Sequence, residues 1–252
     1  MTTIDQLLAK RDARLGSRTG DKDRARSRAG QSKYIGNNFV AFDALRAHLF
    51  HPNHHPTISP STHELNVAQY LERQGWIEQV TPRVWQISEN NGVRTYLSGG
   101  WLEELVFLAH EEAGADEIYF GQDVQWSVHD VTGLNEIDVI ARRGDQLSFT
   151  SCKTIRVNKT TGHMTQLREY VTETDYWNIH FADDKGRAIL VTTADFFDEI
   201  NKQCHRYPQL AARASILNVS ISGLEELKWN NLLIAIDKHW TTNQMNLTKN
   251  SS

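Results

Sequence analysis

Cysteine is nearly absent. Cys152 and Cys204 are the only two in 252 residues, which excludes a disulfide framework and any zinc module built on four thiolates. No apolar run approaches the roughly 20 residues that cross a bilayer. Asp5 and Gln6 stand where a signal peptide would carry its apolar segment. The chain therefore reads as cytoplasmic, with no membrane partner. Several catalytic signatures are missing too. There is no G-x-x-x-x-G-K-[ST] loop, so ATP hydrolysis is not expected. His110-Glu111-Glu112 lacks the second histidine of a zinc protease helix, and neither Ser98 nor Ser151 lies in a G-x-S-x-G turn. No repeat of 20 to 50 residues is visible.

What is present is the composition of a globular protein. Hydrophobic residues make up 39% and charged residues 23%, with a mean hydropathy of -0.52, enough for one large domain or two small ones. The net charge of -4 hides an asymmetry, since residues 1–33 hold nine Lys or Arg against four Asp. That segment is at +5 and the remainder at -9. Beyond Ile4, Leu7 and Leu8 it has little to bury, so the expectation is a basic arm, a short helix followed by a flexible stretch.

Residues 34–97 read as a small winged-helix-like module. Phe39 to Phe50 has apolar residues at helical spacing, and Glu64 to Gln74 forms a second helix after a Ser61 or Thr62 cap. His51, His54, His55 and His63 cluster in and just after the loop between them, whose proline-rich setting argues for a polar connection over a transition-metal site. The runs Val84–Ser88 and Val93–Leu97 flank Asn90-Asn91-Gly92, a strong hairpin turn. Residues 98–252 change character. An amphipathic helix, Trp101–Glu112, precedes strands at 123–129, 136–141 and 147–153. A helix at 164–174, a strand at 187–192, a helix at 195–203, a strand at 214–221 and a helix at 223–240 follow. The pattern predicts a mixed sheet covered by helices, an α/β (α+β) fold.

The chemistry is expected from strand alternation. Side chains two apart share a face, so Glu136 pairs with Asp138 on one strand and Ser151 with Lys153 on the next. Two carboxylates and a lysine on one face of an apolar sheet must meet water, a cation or a phosphate. With Glu103 or Glu104 from the preceding helix, the set offers hard oxygen ligands for Mg²⁺ or Mn²⁺ plus an ammonium, the equipment for hydrolysing a phosphodiester. Cys152 alternates away from the acids, as a buried thiol. Cys204 beside His205 lacks a third group to make a nucleophile pair.

The runs Gly99-Gly100-Trp101-Leu102-Glu103-Glu104, Asn135-Glu136-Ile137-Asp138-Val139 and Cys152-Lys153-Thr154 together resemble the nuclease half of CRISPR-associated DNases activated by cyclic oligoadenylate. These carry a restriction-endonuclease-like PD-(D/E)XK domain. The resemblance covers about residues 80 to 240. It implies Asp138 as metal ligand, Lys153 as the motif lysine and Glu103 or Glu104 as the helix acid; Glu136, on the face of Asp138, is the accessory metal ligand that strand alternation adds. Ser151 stands where the pattern has Glu. Gln166 and Tyr170 resemble the QxxxY of RecB-like nucleases, placing Gln166 among the candidate catalytic residues. Such proteins carry a Rossmann-like sensor before a winged-helix-like linker, and residues 1–98 show no strand-helix alternation to match it. The resemblance implies a Mg²⁺- or Mn²⁺-dependent endonuclease acting on DNA, with RNA left open, as a homodimer or within a partner protein complex, in a defence or mobile-element setting. The alternatives are a degenerate nuclease-fold subunit that only binds nucleic acid or assembles with a partner, and a winged-helix regulator.

Overall fold

The computed structural model describes residues 2–50, 61–82, 84–90, 92–156, 163–182, 186–196 and 206–241. The N-terminal segment does not form the mainly flexible arm that its composition suggests. Helix α1 (Ile4–Ala9) is set by a capping box, in which Thr3 Oγ1 accepts from the Gln6 N–H and the Gln6 side chain accepts from the Thr3 N–H. Ile4, Leu7 and Leu8 then fall on one face and are buried. Strand β1 (Ala13–Leu15) follows, and α2 (Lys22–Ser27) starts at an Asp21 cap. Helices α3 (Ala29–Asn37), α4 (Phe39–Leu49) and α5 (Thr62–Arg73) lead to a hairpin of β2 (Ile77–Thr81) and β3 (Val84–Ile87).

That hairpin lies one segment earlier than expected. Gly92 does take a left-handed conformation, φ +87°, but it opens a helical turn, α6 (Val93–Thr95), continued as a π-helical turn, Tyr96–Gly100. Val93, Tyr96 and Leu97 repeat at helical spacing and are all buried, so core packing overrides the turn signal. The strand expected at 84–88 therefore pairs with Ile77–Thr81 before it and not with residues 93–97 after it.

Helix α7 (Trp101–Glu112) and strands β4 (Glu117–Val128), β5 (Val131–Arg143) and β6 (Gln146–Lys153) come next. Helix α8 (His163–Phe181), β7 (Arg187–Thr192), α9 (Pro208–Ile216), β8 (Val219–Ser222) and α10 (Trp229–Thr241) complete the order. Residues 214–216, expected in the last strand, belong to α9, where Leu210 and Ala214 bury one face and Asn218, φ +53°, breaks the chain towards β8. The expected helix at 195–203 and Cys204 lie outside the described residues, apart from Asp195 and Phe196, as does the loop with His51, His54 and His55.

One six-stranded sheet runs β1-β4-β5-β6-β7-β8. The pairs from β1 to β6 are antiparallel, while β6-β7 and β7-β8 are parallel. β7, RAILVT, is buried at every position, as a strand covered on both faces should be. Helix α7 packs on Val139, Ala141 and Phe120, and α8 on Phe149 and Ile140 through Trp177 and Phe181. The fold is thus a mixed sheet flanked by helices. No helix among the described residues is long and apolar enough to cross a membrane.

The arm is held on the sheet by close backbone approach. Gly20 N–H donates to the Phe120 carbonyl at 2.6 Å, and a Cβ at Gly20 would stand 2.3 Å from the Phe120 ring. Gly20→Ala must displace a buried aromatic ring and is expected to cost about 1–3 kcal/mol. Urea unfolding checks this, and an unchanged midpoint would mean the arm is not anchored at Phe120.

Candidate active site

The β5-β6 ladder runs only from Val139 opposite Thr150 to Arg143 opposite Gln146. Beyond it the strands part, β5 staying with β4 and β6 with β7. Asp138 sits at that fork. Its Oδ2 accepts from the Cys152 backbone N–H at 2.7 Å, doing the work of the missing ladder carbonyl. The same oxygen receives Lys153 Nζ at 3.1 Å and Ser151 Oγ at 3.3 Å. The structure therefore brings Asp138, Ser151 and Lys153 together.

Glu103 approaches from the first turn of α7. Its Oε2 and the Glu136 Oε1 lie the same 3.9 Å from where a side chain would begin at Gly121, whose φ of +50° suits glycine. Burial, followed by the charges of Asp138 and Glu136, pushes the Glu103 carboxyl up to about 8, with Lys153 pulling the other way. At neutral pH this acid keeps its proton. Burial would lower the Lys153 ammonium, but Asp138 and Glu173 outweigh it and hold it above its ordinary value. Cys152 packs its half-buried side chain into the α7 core, and burial raises its thiol well above the usual range.

Two expected members are elsewhere. Glu104, next along α7, is 2% exposed and forms a two-pronged ion pair with Arg28, Nε to Oε2 at 2.7 Å and Nη2 to Oε1. It is not brought to the fork, because adjacent helix positions point about 100° apart and its direction meets the arm. Gln166 is exposed on α8. That helix reaches the lysine through Tyr170, whose ring centroid is 5.4 Å from Lys153 Nζ, with Glu173 one turn further.

Sequence reasoning missed Arg18 and Glu173. Arg18 Nη1 lies 2.7 Å from Glu136 Oε2, so the basic segment supplies a counter-charge to the acid group. Arg26 likewise pairs with Glu111 at 2.7 Å. Only the charge asymmetry hinted at this. Glu173 falls on the stripe of Gln166 and Tyr170 at helical spacing, a signal that was available.

Glu103 allows a measurement in metal-free buffer. The unfolded carboxyl ionises near 4.5 and the folded one near 8. The stability linked to the retained proton is complete below 4.5 and is lost as the pH rises to 8. Glu103→Gln has no such loss. Its melting temperature relative to wild type should climb between those pH values and then level off. A flat difference across the window would show that Glu103 ionises normally.

Among the described residues, no three His, Cys, Asp or Glu side chains converge closely enough to form a ready metal cage. The donors that approach one another, Asp138, Glu103 and Glu136, are nonetheless all carboxylates, the class that suits Mg²⁺ and Mn²⁺. The charges of Asp138 and Glu136 contribute to the raised Glu103 carboxyl, and a divalent cation would offset them.

No protein-family model matches the chain, and no curated protein is significantly similar to it. Solved structures share its fold. Protein VC1899 from Vibrio cholerae superposes with a TM-score of 0.60 at 16% identity, over 93% of this chain and 62% of that one. Can2 from Sulfobacillus thermosulfidooxidans, solved in complex with cyclic tetra-adenylate, gives 0.60 at 15% identity, over 93% and 61%. The chain spans about three fifths of the length of either protein. At these identities the likeness is one of fold.

Proposed function

We propose that the protein is a metal-dependent endonuclease of the PD-(D/E)XK type that hydrolyses phosphodiester bonds of DNA. The observation that carries this reading is the fork between β5 and β6, where one carboxylate oxygen of Asp138 gathers Lys153, Ser151 and a backbone N–H. Glu103 and Glu136 stand close enough to feel its charge. The fold shared with Can2 and VC1899 supports it, as does the resemblance of the three motif runs.

In this reading Asp138, Glu103 and Glu136 would hold Mg²⁺ or Mn²⁺, which would supply an activated water and screen charge on the phosphorus oxyanion. Lys153, kept charged by Asp138 and Glu173, orients the attacking water and stabilises the transition state. Glu103, whose carboxyl burial raises to about 8, would have to be deprotonated to serve as a ligand, so metal affinity would rise with pH. Ser151 offers a hydroxyl where the motif has a carboxylate, which leaves more of the ligation to the α7 acid.

In this reading the nucleic acid would pass a groove of about 740 Å³ whose lining mixes Arg156, Lys228 and His63 with Asp43 and Glu64. Arg156 follows β6 three residues after Lys153, and both it and Lys228 are exposed. Phosphate contacts there would make affinity fall with salt.

A second reading, a binding-only subunit that assembles with a partner, is favoured by Ser151 and by the lack of a ready metal cage among the described residues. Plasmid and single-stranded DNA and RNA, incubated with Mg²⁺ or Mn²⁺, separate the two. Cleavage lost on chelation supports the nuclease. Salt-sensitive binding with neither cleavage nor Asp138-dependent metal heat supports the subunit.

A further inference from the structure

The far end of the sheet holds a second polar site. Arg187 opens β7 and pairs with Ser148, whereas Lys153 pairs with Thr192 five residues along. That places Arg187 about 16 Å down the strand from the fork. It lines a groove of about 740 Å³ between the edge strand β8 and helix α10.

Arg187 is 6% exposed, its Nε has no hydrogen-bond partner, and among the described residues no carboxylate lies within ion-pair distance of it. Burial lowers its pKa and no acid offsets the effect. Its neighbour His239 cannot compensate. Both ring nitrogens are taken by hydroxyls, Nε2 by Ser148 Oγ at 3.4 Å and Nδ1 by Ser220 Oγ at 3.1 Å. Burial, with help from His110 and Arg187, holds that imidazole neutral. A buried guanidinium without a counter-ion is costly, and proteins ordinarily pair it.

We propose that Arg187 anchors an oxyanion-binding site in which the carboxylate or phosphate end of a small molecule docks on the guanidinium fork, beside Ser220 and Lys238. The rest of the groove suits such a molecule. Ile221, Ile234 and Ala235 line its middle, while Glu225 and Glu226 line the other end near Ser222. The ligand therefore carries its negative charge at one end, an apolar body, and a neutral or donor-rich tail. The site is independent of the nuclease reading, since none of these residues belongs to the fork.

The test uses the full chain in low-chloride buffer, with inorganic phosphate and acetate as separate probes, read by melting temperature and calorimetry. Wild type is expected to bind one or both saturably. Binding of phosphate alone identifies phosphate esters as the ligand class, acetate alone carboxylates, and both the shared oxyanion. Arg187→Met is expected to lose binding while melting no lower than wild type without anions, because no partner is orphaned. Arg187→Lys keeps the charge but not the fork and is expected to bind roughly tenfold more weakly. Lys153→Ala is expected to bind as wild type does. Absence of binding to wild type, undiminished binding by Arg187→Met, or an Arg187→Met protein that no longer folds would each overturn the proposal, the last because it would tie the guanidinium to the fold and not to a ligand.

Discussion

Asp138→Ala is expected to reduce metal-dependent DNA cleavage by at least about 10²- to 10³-fold, the loss that follows removal of one preorganised transition-state group. A single oxygen, Oδ2, receives the Lys153 ammonium at 3.1 Å, the Ser151 hydroxyl at 3.3 Å and the Cys152 N–H at 2.7 Å. Without it the lysine loses the charge that fixes it, and the proposed cation would lose a ligand. Lys153→Ala should fall by a similar factor through a different term. It keeps the carboxylates, so calorimetry should still detect Mn²⁺ binding, whereas Asp138→Ala should lose that heat. The double variant should be scarcely worse than either single one if the two act as a unit. Equal cleavage by wild type and both single variants would sink the assignment. Circular dichroism guards against a trivial cause, because Asp138 also closes the end of the ladder.

The juxtaposition of Asp138 with Lys153 was legible because it depends on local rules. Period-two alternation and a short turn between β5 and β6 fix which side chains meet. The fork was not legible, since the end of a ladder depends on β4 and β7 drawing the two strands apart. The buried β7 showed itself as an unbroken apolar run, whereas the boundary of β8 did not, because Ala214–Ile216 suits helix or strand and only the burial of Leu210 and Ala214 decides. Asn90-Asn91-Gly92 read as a hairpin turn, but its left-handed Gly92 opens a helical turn. The basic segment was the largest miss. Its few apolar residues suggested disorder, yet Arg18, Arg26 and Arg28 each find an acid of the body. Charge asymmetry along a chain can thus mark an internal docking surface, and composition alone does not distinguish that from a solvated tail.

Arg28→Ala is expected to be the most damaging change outside the fork, costing about 3–5 kcal/mol and lowering the melting temperature by roughly 10 °C. Glu104 is 2% exposed on a helix whose other faces pack against the core, so it cannot turn to water when its partner is removed. The guanidinium also lies 4.0 Å from the Tyr96 ring centroid, and the Tyr96 hydroxyl is in turn bonded to Ser32 at 2.7 Å. The pair therefore ties the N-terminal segment to the start of α7, the helix that carries Glu103. A change that merely removed a surface charge would cost less than about 1 kcal/mol, so the size of the effect is diagnostic. The compensated variant Arg28→Met with Glu104→Gln leaves no buried charge and is expected to recover most of the loss. If Arg28→Ala melts as wild type does, Glu104 has water or another partner, and its place as a structural acid falls. If Arg28→Ala is unstable and the paired variant does not recover, the guanidinium acts chiefly through Tyr96 packing. Arg28→Lys then separates the two effects, because it keeps a cation over the ring and loses the two-pronged bond to the carboxylate.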